Sequence, residues 1–261
     1  MSTVVWDRLF LLRELTFRDL KLRYIGSVMG LFWSVVHPVF TLLLYTLVFS
    51  QFIRPGWDEA RTMGSFARYL FAGLLPWIQF HESITRSATV LIDNSNLIKK
   101  VRFPVELLPA SLVLSSVFNQ MAALCVFIAL IVFTRGTAST SLLWLAPALM
   151  LQAVITGGAG LLVASANVFV RDIHQLLAIG FPFLFWATPI VYPPSSIPPH
   201  FHWISAVNPL THLVALYRTA LLGTAAPGVV PLLYLGLACA AMLAAGLGLL
   251  RRTRGILSDY V

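Results

Sequence analysis

The chain has 261 residues, 58% of them hydrophobic and only 11% charged, with a mean hydropathy of +0.84. A soluble enzyme or nucleic-acid-binding module needs a charged surface that this composition cannot supply, so the class is an all-α polytopic membrane protein. At roughly 20 residues per span the length holds about six spans, and the formal net charge of +8 is read against membrane topology rather than nucleic acid.

Met1–Tyr24 is broken by charge every few residues and has no apolar core of signal-peptide length. At about 100° per residue, Trp6, Phe10, Phe17, Leu20 and Tyr24 share one side and Asp7, Glu14, Arg18 and Lys21 form a charged stripe beside it. Leu11 and Leu15 fall elsewhere, and Arg13 intrudes. The pattern predicts an imperfectly amphipathic helix lying in the membrane interface.

A first span follows over about Gly30–Phe52, with Pro38 inside it, then a polar loop over Arg54–Arg68. The second span, Tyr69–Leu91, carries His81, Glu82 and Arg86 in its later half. Val90–Pro104, VLIDNSNLIKKVRFP, is a short polar interruption with Lys99, Lys100 and Arg102, and it predicts a short helix. Span three covers Leu107–Thr134 and a turn covers Arg135–Ser141. Span four, Leu142–Val170, sets Thr156, Gly160 and Ala164 at four-residue spacing for close helix contact, and Arg171 and Asp172 end it.

Ile173–Tyr217 then runs 45 residues without charge, long enough for two spans, but Pro182, Pro189, Pro193, Pro194, Pro198, Pro199 and Pro209 argue against two plain helices. Orientation decides the reading. With the N-terminus inside and six spans, 13 of the 18 Lys and Arg residues lie on the cytoplasmic side, leaving Arg54, Arg61, Arg68, Arg135 and Arg218 outside. Two full crossings would put Arg251, Arg252 and Arg254 outside as well. The expectation is therefore one span to about Tyr192, then two short re-entrant outer helices over 193–222. Non-helical backbone at that depth must be buried in protein or line a wet cavity, which makes the segment a candidate part of a translocation path. The last span, 223–250, carries Gly236, Ala240, Ala244 and Gly248 at four-residue spacing, and 251–261 is a cytoplasmic tail.

Few motifs carry chemistry. There is no phosphate loop, and Gly246-Leu-Gly248 in an apolar span reads as packing. His81-Glu82 begins like a zinc-protease helix, but Thr85 stands at the second histidine position, and no metal site is expected. Glu82 has two readings, a proton relay or an i,i+4 pair with Arg86, and the pair is preferred. Cys125 and Cys239 lie in apolar runs and read as small core residues. Arg18, Lys21 and Arg23 sit at headgroup level, where anionic lipid explains them; contact with a lipid-linked pyrophosphate is the sharper alternative. The seven Trp, seven Tyr and 18 Phe supply interfacial belts. Among them Trp33, Trp77, Phe80, Trp186, Tyr192 and Trp203 are candidates for an aromatic channel lining.

Five stretches, RDLKLRYIGSVMGLFWSVVHPVFTLLLYTLVFS, FAGLLPWIQF, DNSNLIKKVRFPVELLPA, ANVFVRDIHQLL and NPLTHLVALYRTALL, together resemble the membrane (permease) subunits of ABC-2-type exporters of O-antigen, capsular polysaccharide or teichoic acid. The resemblance implies one ABC-2 transmembrane domain over 1–261, with an interfacial helix and loop at 1–28 and spans one to five within 30–192. It implies a homodimer in the bacterial inner membrane, both termini cytoplasmic, with two copies of a separate ABC ATPase. ATP and Mg would be bound by that partner, so this chain has no cofactor or catalytic site of its own. A cytoplasmic coupling helix at 93–100 would enter a groove of the ATPase through Asp93, Asn94, Asn96, Leu97, Ile98 and Lys99, with Arg171 and Asp172 as a second contact. Met29-Gly30 stands where such exporters often carry Leu-Gly, and with Arg18, Lys21 and Arg23 it would meet the lipid anchor. The implied substrate is a polyprenyl-pyrophosphate-linked glycan. Export of a small lipid or drug is the alternative, with proton-coupled secondary transport behind it.

Overall fold

The computed structural model describes residues 2–24, 63–100, 103–135 and 140–255, with isolated positions between 32 and 48. The expected first span and the Met29-Gly30 pair lie outside the described residues, apart from isolated positions such as Trp33, whose side chain is exposed. No strand occurs among the described residues, and the helices are α1 (Ser2–Tyr24), α2 (Met63–Asp93), α3 (Ser95–Lys100), α4 (Leu107–Arg135), α5 (Leu145–Phe169), α6 (Ile173–Ala187), α7 (His202–Val207), α8 (Pro209–Leu222) and α9 (Val229–Thr253).

Helix α2 is the axis of the bundle. Its 31 residues reach about 46 Å at 1.5 Å per residue, well beyond a hydrocarbon core of about 30 Å. It starts at Met63 rather than after Arg68, and Phe66, ahead of the expected start, is already buried in the bundle. It passes through three apolar clusters in turn. Phe66, Leu70 and Leu74 meet Phe185, Ile190, Val191 and Val214, Phe71, Ala72, Leu75 and Ile84 join the central core with α4, α5, α8 and α9, and Val90 and Leu91 pack with Leu15, Leu108 and Leu112.

Among the described residues three segments are long and apolar enough to cross a membrane, Leu107–Phe133, Thr140–Phe169 and Val229–Thr253. Most of the expected Arg135–Ser141 turn, residues 136–139, lies outside the described residues, and a 3-10 turn, Thr140–Trp144, leads into α5. Close approach of α5 and α9 depends on two glycines: a Cβ on Gly158 would stand 2.5 Å from the Leu243 nitrogen, and one on Gly246 would collide with the Gly158 carbonyl. Gly160 lies against Ser87 of α2, so its expected packing role is met there. Among the described residues the small-residue stripe expected on the last span does not face α5, since nothing lies within 4 Å of a Cβ on Gly236 or Gly248.

Two boundaries move. Helix α6 stops at Ala187, with Thr188 extended as its C-cap, instead of running to Tyr192. Thr188 precedes Pro189, and a residue before proline is pushed out of the helical region. At 15 residues α6 is only about 22 Å long. Helix α8 ends at Gly223, whose φ of 73° is the left-handed cap that glycine adopts without strain. Residues 223–228 are non-helical, and α9 begins at Val229.

Helix α1 lies along α4 by the face that the periodicity left aside. Leu15, Thr16 and Asp19 are buried there, while Trp6, Phe10 and Phe17 are exposed. The helix has two apolar sides, one packed on the protein and one exposed, so no single amphipathic axis describes it.

Candidate functional site

The α2–α3 corner is built around one asparagine. Asn94 ends α2 by donating its side-chain Nδ2 to the Val90 carbonyl at 2.9 Å, and its own carbonyl accepts the Leu97 and Ile98 amides at 3.0 and 3.2 Å to start α3. Asparagine suits such a break because its amide competes with the helical backbone. The corner exposes Asp93 at the end of α2, and Asn96 and Lys99, three residues apart on one face of α3. Leu97 and Ile98 do not share that face: both pack against the Leu15–Leu108 cluster of their own bundle. These partly buried side chains are the feet on which α3 stands.

The second turn lies between α5 and α6. Arg171 and Asp172 are exposed, and Val170 is extended. Asn167, which the sequence reading passed over, fixes this turn to α2: its Nδ2 donates to the Ala88 carbonyl at 2.8 Å and its Oδ1 accepts the His174 amide at 3.2 Å.

A charge cluster joins α1 to α2 and α4. Asp19 receives both Nη groups of Arg86, one at 2.9 Å, the Ser115 hydroxyl and the Arg23 Nε at 3.2 Å. Arg23 pairs closely with Glu82 and donates to Ser116 at 2.9 Å. The expected Glu82–Arg86 pair is present only at 4.0 Å, because each partner has a nearer opposite charge on α1. Burial pushes the Asp19 carboxyl up, but the hydrogen bonds from Arg86 and Ser115 and the charges of Arg86 and Arg23 outweigh it and hold it below its ordinary value. Arg23, read from sequence as a headgroup contact, is thereby committed to protein. Lys21 is exposed, and Arg18 donates to Asn94 Oδ1 at 3.3 Å, linking α1 to the corner itself. A cavity of about 350 Å³ lies between them, bordered by Arg18, Asp19, Arg86, Asp93 and Asn94.

A polar knot crosses the core. Gln152 donates to the Pro76 carbonyl at 3.2 Å and to Gln79, and accepts from Gln120 at 3.2 Å and from Tyr217. These buried amides tie α2, α4, α5 and α8 where apolar packing alone would be non-directional.

The aromatic candidates separate. Phe80 is buried in the core. Trp77 is half-buried, with edge contacts to Phe181 and Phe185 at 6.0 and 5.3 Å, and exposed His81 meets Phe181 at 4.5 Å. Trp186 and Tyr192 border a second cavity of about 450 Å³ with Phe183 and Phe201, the Tyr192 hydroxyl donating to the Trp186 carbonyl. Trp203 is exposed and lies outside that lining.

Comparison with known proteins agrees with this architecture. Residues 11–222 match the model of the ABC-2 type transporter family. The chain is 32% identical over 209 residues to an O-antigen export system permease protein RfbA of Klebsiella pneumoniae, covering 80% of this chain and 78% of that one. It is 30% identical over 227 residues to RfbA of Myxococcus xanthus, covering 86% and 85%. With the polysialic acid transport protein KpsM of Escherichia coli it shares 27% over 240 residues, 90% of each chain. A packed helical membrane bundle matched over most of its length identifies the chain as a member of the ABC-2 type transporter family.

Proposed function

We propose that this chain is the channel-forming permease of an ATP-driven exporter that moves a polyprenyl-pyrophosphate-linked polysaccharide across the bacterial inner membrane. The observation that carries this reading is similarity to O-antigen export permeases over about four-fifths of both chains. In this reading two copies form the channel, and two copies of a separate ABC ATPase, which bind ATP and Mg, drive it from the cytoplasmic side. Both termini face that side, and the span expected at 30–52, α2, α4, α5, α6 together with 188–192, and α9 make six crossings, with 193–222 re-entrant from outside.

The ATPase contact is formed by exposed Asp93, Asn96 and Lys99 of the corner, supported by Asn94, Leu97 and Ile98, with Arg171 and Asp172 as a second contact. Helix α2 continues from that corner through the whole bundle, so a push there moves it as a rigid body. The Arg18–Asn94 contact and the Asp19–Arg86 pair carry the same displacement to α1. Lys21, Arg18, Met29 and Gly30 remain the lipid-anchor residues, with Arg23 acting through its ion pairs. Trp33, Trp77, Trp186, Tyr192 and Trp203 offer aromatic faces that hold sugar rings without a tight lock.

Removal of the chain from its native host tests the function. Glycan then accumulates on the carrier inside the cell, and supplying the chain again restores it at the surface. Unchanged surface glycan in the deletion strain would overturn the proposal.

A further inference from the structure

Past the end of α6 the chain turns and bends through residues 188–192, and the carbonyls of Pro189 and Ile190 follow one another outside any helix. One side chain takes both. Arg218 of α8 donates Nη1 to the Pro189 carbonyl at 2.8 Å and Nη2 to the Ile190 carbonyl at 2.7 Å. Its guanidinium lies over the Tyr69 ring of α2, 3.6 Å from the centroid, and the Tyr69 hydroxyl donates to the Tyr192 carbonyl at 3.3 Å. Gly73, one turn further along α2, leaves the room: a Cβ there would stand 3.1 Å from Arg218 Nη2. Arg218 is 6% exposed and Ile190 and Val191 are 0% and 1% exposed.

The far end of the same segment is held too. Asn208, the N-cap of α8, donates to the Thr188 hydroxyl at 2.8 Å. Residues 189–207 therefore leave the bundle and return to it at one place, and between these pins the side chains of 194–196 and 198–203 are exposed, apart from half-buried Ile197 completing the run. A cation is costly inside a membrane protein, so its presence needs a gain that a neutral residue cannot give. Arginine alone offers a planar fork for two successive carbonyls and a face for an aromatic ring at once.

We propose that Arg218 is a positioning residue, a clasp that holds the segment 189–207 against α2 and thereby fixes Tyr192 and Trp186 as walls of the 450 Å³ aromatic cavity at the outer end of the export path. This rests on the reading that the segment borders that path. Replacing Arg218 leaves two buried carbonyls bare, frees the segment and widens the outer end.

The test places a single reporter, Ile190→Cys, in a chain lacking its own thiols (Cys125→Ala, Cys239→Ala), with His200→Cys as an exposed control and Leu235→Cys as a buried control in the central core. Reaction with a membrane-impermeant maleimide is measured in cells and on the purified protein in detergent, alongside glycan export. In an Arg218→Lys background the clasp account expects the rate at position 190 to rise about tenfold or more, as for local opening. Position 235 stays unreactive, and export falls. Unchanged labelling at 190 overturns the clasp, and so does equal exposure of 190 and 235, which would mark general loosening. Should Arg218→Lys fail to accumulate, Tyr69→Phe removes only the hydroxyl on the Tyr192 carbonyl, with a Val191→Cys reporter. A rise there supports the clasp and its absence overturns it. Failure of the 200 control to label in intact cells would instead count against the outward placement of the segment, while the detergent measurement still decides the clasp.

Discussion

Replacing Asp19 by Asn preserves shape and removes one negative charge from the α1–α2 cluster. Arg86 then loses its closest counter-ion, since Glu82 is 4.0 Å away, and Arg23 keeps only Glu82. Removing one partner of a buried pair costs roughly 3–5 kcal/mol. The Asp19 side chain is 12% exposed but that of Arg86 is 33%, and water screening brings the expected loss down to about 2–3 kcal/mol. Arg86→Gln costs a similar amount, and the double variant recovers about 1–2 kcal/mol of the sum, because neutrality returns. Denaturant titration of the purified protein in detergent, followed by circular dichroism, measures this cycle. Simple additivity within about 0.5 kcal/mol would refute the claim that this pair holds α1 to α2.

The same cluster gives a pH dependence. The Asp19 carboxyl is lowered from 3.8, and a lowered carboxylate contributes stability above its ordinary value that is lost as pH falls through the folded-state value. Stability from this group is therefore flat from about pH 8 to about pH 5 and lost only in acid below 3.8, a step that Asp19→Asn removes. Gly158→Ala forces α5 from α9 and costs about 1–3 kcal/mol, whereas Gly248→Ala, with open space around it, is neutral or better; thermal unfolding of the pair compares them. Gln152→Leu strands its partners on Gln79, Gln120 and Tyr217, and the same unfolding measurement should show a loss of about 1–2 kcal/mol. Leu97→Ala lowers stability at the α3 corner, while Asn96→Ala leaves stability unchanged and weakens capture of the ATPase in a pull-down. Equal ATPase capture by the two Leu97 and Asn96 variants and wild type would remove the docking contact.

Composition and charge placement made the membrane class legible, and the polar break at Asn94 announced the short helix that the structure places at Ser95–Lys100. These signals are local, so sequence carries them. What escaped depends on contacts between distant segments. Asp19 and Arg86 stand 67 residues apart, and no spacing rule pairs them, whereas Glu82 and Arg86 satisfied a helical rule that a stronger neighbour overrode. Periodicity found one apolar side of α1 because it assumes a single buried face, yet this helix has one apolar side packed on protein and another exposed. The stripe in α9 does not mark the α5 contact for a related reason: small residues permit close approach anywhere, and the partner glycine on α5 decides where it occurs. Gln79, Gln120, Gln152 and Arg218 did leave a signal, an isolated polar residue in an apolar run, which marks a buried partner without naming it.

The central claim is that an external ATPase drives glycan across the membrane through the α2–α3 corner. The most direct measurement is ATP-dependent transfer of lipid-linked glycan into proteoliposomes holding the chain and its ATPase, for wild type and for Asp93→Lys combined with Asn96→Lys. Transfer by wild type, with the variant hydrolysing ATP but moving no glycan, is the predicted result; undiminished transfer by the variant, or none by wild type, would contradict the account.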